Sequence, residues 1–438
     1  MSAARVASPP SKMWWTATIA GMASYLDAAA IVSTGIALVL FQQSFQLGPA
    51  QIGQLSALLT IMIAVGALVG GRLGDKYGRR RVFSWTMVVF AAGALLLMVA
   101  TGPGMLYAGI VLLGFAAGAD LPVSMAMISE SAPAGKKGKM ITFSHVLWMV
   151  GVLAVQIISI IVGDMGATGA RILYGHLLIV ALLVLVLRAG LPESAEWVKS
   201  QAVKAAPGQS GFGSLKGLVR SRYSIPLVAT GLFYAIANIA ANTNGQFSTY
   251  LYVNVAGASV STASTIGLVA FGCSFIGMLA TMKFVDTKWR MPVFVVASAL
   301  SVVAFVVPAA MGVSTWSLAV MAIFYSIGGA IAGEPMYKVW SQELFPTRYR
   351  SSAQGITIAF TRVVAAAVAL FTPQIIAGGA QALFIFLIAT TVVSCLMGIL
   401  WLARIPRALP DAGPDAGSGA PVEQDAGQGA PAPATIAG

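Results

Sequence analysis

The sequence predicts an all-α membrane protein of about twelve transmembrane helices, arranged as two pseudo-symmetric six-helix bundles, and three observations carry that prediction. Hydrophobic residues make up 58% of the 438 residues and charged residues 9%, against about 25% charged in a soluble domain. Apolar runs long enough to cross a hydrocarbon core of about 30 Å recur between charged or Gly/Pro-rich breaks. The second half of the chain also repeats the punctuation of the first at a nearly constant offset.

The apolar runs lie near residues 14–41, 52–71, 82–100, 104–128, 139–163, 170–188, 223–251, 260–282, 291–311, 315–340, 351–375 and 380–404. Lys and Arg collect in alternate loops: Arg72, Lys76 and Arg79 to Arg81, then Lys136, Lys137 and Lys139, then 199–222, 283–290, and Arg348 with Arg350. Short basic loops resist translocation, so both termini are expected in the cytoplasm of a multi-pass plasma (inner) membrane protein. Arg171 and Arg362 alone depart from the pattern. The net charge of +12 is therefore topological, and a nucleic-acid partner is not expected.

Residues 1–13 read as a cytoplasmic N-terminus, 14–188 as the first bundle, 189–222 as a cytoplasmic central loop, 223–404 as the second bundle and 405–438 as a disordered, Ala/Gly/Pro-rich cytoplasmic tail. The first span lacks a short apolar region with a cleavage site and reads as uncleaved. Cys273 and Cys395 both fall within apolar spans, which argues against a disulfide or metal framework. No nucleophile with a base, metal-spaced cluster or phosphate loop stands out, so neither an enzyme nor a bound cofactor is expected.

The repeat rests on two matches. Asp75 and Arg79 close the second span as D-x-x-x-R, and Asp286 and Arg290 close the eighth, 211 positions later. Glu130 ends the fourth span, followed by Pro133 and lysines. Glu343 ends the tenth, followed by Pro346 and arginines, 213 positions later. A duplicated six-helix unit is a known transporter plan.

At these residues the chain resembles the major facilitator superfamily, in its sugar-porter and metabolite:proton symporter branch. GRLGDKYGRRR (71–81) is similar to that family's loop signature between the second and third spans. LPESAEW (191–197) is similar to its element after the sixth span, and GEPMYKVWSQELFPTRYRSSAQG (333–355) to its tenth-span signature. The resemblance covers nearly the whole chain and implies the major facilitator fold, alternating access, proton coupling and a monomer. There are departures: Ala195 and Glu196 stand where sugar porters usually have Pro-Arg, Glu334 where they have Gly, and Ile110 where they carry a fourth-span Arg.

Charged side chains at bilayer depth cost roughly 2.5–3.5 kcal/mol each on insertion scales, so they face protein or water and often mark function. Asp27, Asp120, Glu334 and Arg362 are such residues. Asp27, Asp120 and Glu334 are candidate proton-coupling groups and Arg362 a candidate substrate anchor, because desolvation favours a neutral carboxylate while a nearby cation favours a charged one. The plainer reading is that Arg362 neutralises Glu334 or Asp27 and joins two helices. Asp27 matches the first-span Asp that the resemblance implies in proton coupling, with Arg362 in place of the missing fourth-span partner. Asp120, in GADLPVS, is either a second proton site or a bond to backbone groups freed by Pro122. His145 and His176 read as packing histidines before proton relays.

Tyr234, Asn238, Asn242, Gln246 and Tyr250 recur at every fourth position of the seventh span. Amides flanked by aromatic faces suit a hydroxylated ligand, and the stripe is expected to line the pathway, with Gly245 loosening the helix so that it bends toward one cavity. Interhelical bonding is the alternative. Gln156 and Trp340 are further candidates for the opposite walls. The resemblance implies that Gly71, Asp75, Gly78, Arg79, Arg80, Glu130, Asp286, Arg290, Glu343 and Arg348 form a gate at the cytoplasmic side; the glycines permit close approach and a tight turn, and Asp75 can accept from a helix N-terminus. Proton-coupled uptake of a sugar, polyol or sugar acid is the leading expectation. Efflux antiport is the rival, disfavoured by the single Gly and absent Pro of SHVLWMVGVLAVQIIS (144–159).

Overall fold

A computed structural model describes residues 10–132, 137–193, 198, 223–345 and 347–406. The central loop and tail expected from the sequence fall almost wholly outside those residues. Among the described residues twelve α-helices follow in order: α1 (Pro10–Ser44), α2 (Pro49–Tyr77), α3 (Arg79–Met98), α4 (Pro103–Ser131), α5 (Lys137–Val162), α6 (Ala167–Ala189), α7 (Ser224–Asn254), α8 (Val260–Phe284), α9 (Arg290–Met311), α10 (Thr315–Ala332), α11 (Glu334–Glu343) and α12 (Thr347–Leu400). They do not map one to one onto spans. α10 and α11 make a single crossing, Thr315–Glu343, broken at Gly333, and α12 makes two crossings joined at Gly379, where φ is 142°.

The break at Gly333 follows from the sequence Gly-Glu-Pro. Pro335 has no N–H to return to the Ile331 carbonyl and its ring crowds that turn, and the chain leaves helical geometry at Gly333, where ψ is −127°. The chain restarts a helix at Glu334, whose carboxylate suits a helix N-terminus.

Small residues decide which helices sit at the centre. α1 carries Ala17, Ala20, Ala23, Ala28, Ala29 and Ala30, each at most 1% exposed, and these let α4, α5, α6 and α7 all pack against it. In its apolar window 89% of α1 is buried, against 11% of α8, which presents Phe275, Ile276, Leu279 and Met282 outward as a lipid-facing helix.

The cores reveal which side is closed. On the side away from the basic loops, one hydrophobic cluster takes in both halves, from Phe41 and Leu55 to Phe247 and Leu383. On the basic side there are two clusters. One belongs to the first half, around Ile19, Phe83 and Met127, and the other to the second, around Phe233, Phe294 and Trp340.

The seam that joins the halves is built from close backbone approach. A Cβ at Gly35 would sit 2.7 Å from the Gln246 carbonyl, and one at Gly53 would collide with the Leu370 carbonyl. Gln246 donates to Thr60 at 2.9 Å and Ser261 to the Ile160 carbonyl at 2.9 Å. The two halves are thus sealed on the side opposite the basic loops, while on the basic side the described residues form a separate core in each half. Substituting Gly53→Val is expected to disfavour this seal. Labelling of a Thr60→Cys reporter by an impermeant maleimide, added from the sealed side, should then rise by at least about tenfold.

Candidate functional site

Below the seal the halves face one another across a chamber. Asp27 lies eight residues from Gly35, Asn238 eight from Gln246 and Arg362 eight from Leu370. At 1.5 Å per residue all three therefore sit about 12 Å beneath the seal, at one depth. Arg362 and Glu334 are the charged groups acting on Asp27, and the Trp148 indole faces its carboxylate. Glu334 is surrounded in turn by Lys338, His145 and Arg362, and the Tyr234 hydroxyl faces it. The first half thus supplies Asp27, His145 and Trp148, and the second Tyr234, Glu334, Lys338 and Arg362.

Side chains near the basic end of this group are exposed. Glu334 and Lys338 form an ion pair at 2.7 Å one turn apart, yet their side chains are 47% and 53% exposed. His145 is exposed too, and it stacks on Trp148 with ring centroids 5.7 Å apart. Deeper in, Asp27 is 3% exposed and its Oδ1 has no protein partner; the Oδ1 of Asn238 is likewise buried without one. Arg362 makes no hydrogen bond and no ion pair among the described residues, and both carboxylates act on it at longer range. Two acids and two cations oppose one another in a cavity with several unmet donors and acceptors.

The amide stripe does not line this chamber along its length. Each i+4 step drifts by about 40°, so four steps carry it about 160° around the helix, and α7 runs as one continuous helix from Ser224 to Asn254, through Gly245. Tyr234 stacks on Tyr337 with centroids 3.9 Å apart, beside Glu334. Asn242 accepts from Gln246 at 2.8 Å, and Gln246 belongs to the seam. Tyr250 is 4% exposed within the shared hydrophobic core. The residues that continue the Tyr234 face are Asn238, Ala241 and Gly245, the last two exposed.

Two further expected wall residues lie elsewhere. Trp340 is 2% exposed and packs edge-on against Phe233 and Phe294, at 4.9 and 5.4 Å, so it is a core residue. Gln156 points across the seam at Gly267, with its Oε1 buried and unpartnered.

Asp120 is engaged far more firmly than either reading of the sequence supposed. Arg188, at the basic end of α6, grips it bidentately, Nη1 to Oδ1 at 2.6 Å and Nη2 to Oδ2 at 2.8 Å. Thr86 donates to Oδ1 at 3.0 Å, and the guanidinium lies 4.0 Å over the Phe83 ring. Both residues are 1% exposed. His176 is bonded to the Tyr25 hydroxyl at 2.7 Å. Sequence reasoning missed Arg188, which looks like an ordinary basic residue at a span end, and Lys338, which looks like part of the tenth-span signature.

At the basic side, Arg79 and Glu130 form an ion pair at 2.9 Å, and Arg290 and Glu343 form its counterpart at 2.8 Å. The repeat of the sequence thus reappears as two equivalent clasps. Gly78, at φ 97°, turns the chain between α2 and α3. The freed N-terminus of α3 is capped by Glu193, whose carboxylate accepts from the Arg79 N–H at 3.0 Å and the Arg80 N–H at 3.1 Å. Arg80 also donates to the Ala189 carbonyl at 2.7 Å. A Cβ added at Gly71 would meet Pro122 at 3.9 Å, an ordinary contact, so close packing does not require a glycine there. Asp286 is exposed, and the side chains of Asp75 and Arg348 lie outside the described residues.

The sequence profile described as Major Facilitator Superfamily matches residues 14–370. The chain belongs to that superfamily. It is 33% identical to a minor myo-inositol transporter of Bacillus subtilis, over 87% of this chain and 89% of that protein. It is 24% identical to a glucose transporter of Staphylococcus epidermidis, over 86% and 89%. Its fold is similar to that of a D-xylose-proton symporter (TM-score 0.74, 17% identity, 90% and 98% covered). It is similar also to an inward-open xylose transporter of E. coli (0.72, 16%, 90% and 97%). This superfamily member is accordingly a sugar-porter-type transporter and not an enzyme, with twelve crossings.

Removing one partner of a buried ion pair costs about 3–5 kcal/mol, because the other charge is left dry and uncompensated. Arg188→Met is expected to lose about that much in denaturant unfolding of the purified carrier. The double variant Arg188→Met with Asp120→Asn should recover most of the loss.

Proposed function

We propose that this transporter imports a small polyhydroxylated metabolite, a cyclitol or sugar, together with a proton by alternating access. The observation that carries the proposal is the chamber at the midplane, shared by both halves, sealed on one side and accessible on the other. A site at the interface of two repeats, reached from one side at a time, is the arrangement by which rocking halves move a solute. The basic side is the cytoplasmic one, with both termini there and a monomer as the working unit.

The chemistry of the chamber favours such a ligand. Tyr234, Asn238 and Trp148 offer donors, acceptors and aromatic faces, and the opposed charges leave the site near neutrality, which suits an uncharged polyol. Asp27 serves as the proton acceptor, with Glu334 held by Lys338. The myo-inositol and glucose transporters among the relatives support the class of substrate, and the xylose-proton symporter supports the coupling. A second reading has one observation in its favour: Arg362, with no ion pair among the described residues, could take a carboxylate as a bidentate guest, which extends the range to sugar acids.

Uptake of labelled myo-inositol, glucose and a hexuronate into proteoliposomes, with and without an inward proton gradient, tests the proposal. Gradient-driven accumulation of one of them, abolished by Asp27→Asn, is expected. Export driven by the opposite gradient would make the protein an efflux antiporter instead, and no flux of any hydroxylated solute would reject the substrate class.

A further inference from the structure

We propose that proton coupling in this carrier works across the seam: the cation that opposes Asp27 is Arg362 of the other half, so protonation of Asp27 changes the attraction between the two bundles themselves. The inference rests on the proton-coupled reading above and names the residue that positions its coupling step.

The argument is one of elimination among the groups around Asp27. Within its own half, α4 carries no cation along its buried face, where Ile110 is 0% exposed in the apolar core. The buried cation that this half does possess, Arg188, is bound through both terminal nitrogens to Asp120. From α6, His176 is taken by Tyr25. α5 presents Trp148 and, beyond it, His145. The ionisable groups of α2, namely Arg72, Asp75, Lys76 and Tyr77, all lie at its basic end. From the second half, α7 presents Tyr234, α11 presents Glu334 already paired with Lys338 at 2.7 Å, and α12 presents Arg362.

Among the described residues, Arg362 is therefore the cation without an ion pair at the depth of Asp27, about 12 Å below the seal on the facing helix. An ionised Asp27 and Arg362 draw the halves together at mid-membrane. When Asp27 takes a proton from water, that attraction is lost and the guanidinium is released to the chamber, where substrate hydroxyls can accept from it. Loss of the proton to the basic side restores the attraction. A pair held within one bundle would have no such direct effect on the relation between bundles.

The test reads distance rather than flux. Spin labels are placed at Arg81→Cys and Lys288→Cys, exposed positions on the basic side of opposite halves, after Cys273 and Cys395 are replaced by Ser. Double electron–electron resonance on the full chain in nanodiscs is then recorded between about pH 5 and pH 8. The expected result is a distance distribution that changes with pH in the parent protein and is fixed in Asp27→Asn at its low-pH form. It should be insensitive to pH in Arg362→Gln and responsive again in Arg362→Lys. A parent distribution that ignores pH, an Asp27→Asn variant that still responds, or an Arg362→Gln variant that responds as the parent does would overturn the inference. If the distances behave as expected while no hydroxylated solute is transported, the substrate reading fails and the coupling inference stands.

Discussion

A charge taken out of water must be compensated, and at bilayer depth the penalty of failing to do so is several kcal/mol per group. Two solutions coexist in this carrier. Asp120 and Arg188 are dry, bidentate and surrounded by Thr86 and the Phe83 ring, and they tie the basic ends of α3, α4 and α6 into one body. Asp27, Glu334, Lys338 and Arg362 instead share a cavity in which exposure does part of the compensation. The first arrangement suits a part that must stay rigid, the second a part that must change partners.

The same division recurs along the length of the molecule. The seal is apolar and backbone-tight at Gly35 and Gly53, whereas the basic end carries clasps within each half, Arg79 to Glu130 and Arg290 to Glu343. Each clasp stiffens its own bundle without bridging the two. Glu343 ends the same ten-residue helix that Glu334 begins, so the chamber and the second clasp lie at the two ends of one short helix that starts at the break at Gly333.

What was legible in the sequence was whatever depends on composition and on repetition. Span positions follow from hydropathy, since lipid leaves the backbone no alternative to the helix. The duplicated motifs foretold a pair of equivalent contacts because both copies face the same problem at the same helix end. What was illegible depended on rotation and on partners. The stripe from Tyr234 to Tyr250 looked like one face, yet a period of four on a helix of 3.6 residues per turn wraps it from the chamber to the core. Arg188 could not be told from a topological basic residue without knowing that Asp120 of another helix lay opposite. Trp340 shares its segment with Glu334 and Lys338, but six residues on it points the other way, into Phe233 and Phe294.

The balance of charge in the chamber bears on what it can carry. With Glu334 neutralised by Lys338, the remaining pair is Asp27 and Arg362, and any ligand must be accommodated without leaving one of them alone. A neutral polyol leaves the balance intact and competes only for hydrogen bonds. A carboxylate bound to Arg362 would strand Asp27 beside Glu334, and the way to remove that repulsion is to protonate Asp27. On the proposed reading, substrate charge and proton uptake are parts of one electrostatic condition, and a carrier built on it would couple acids to protons by necessity and polyols by the geometry of the seam.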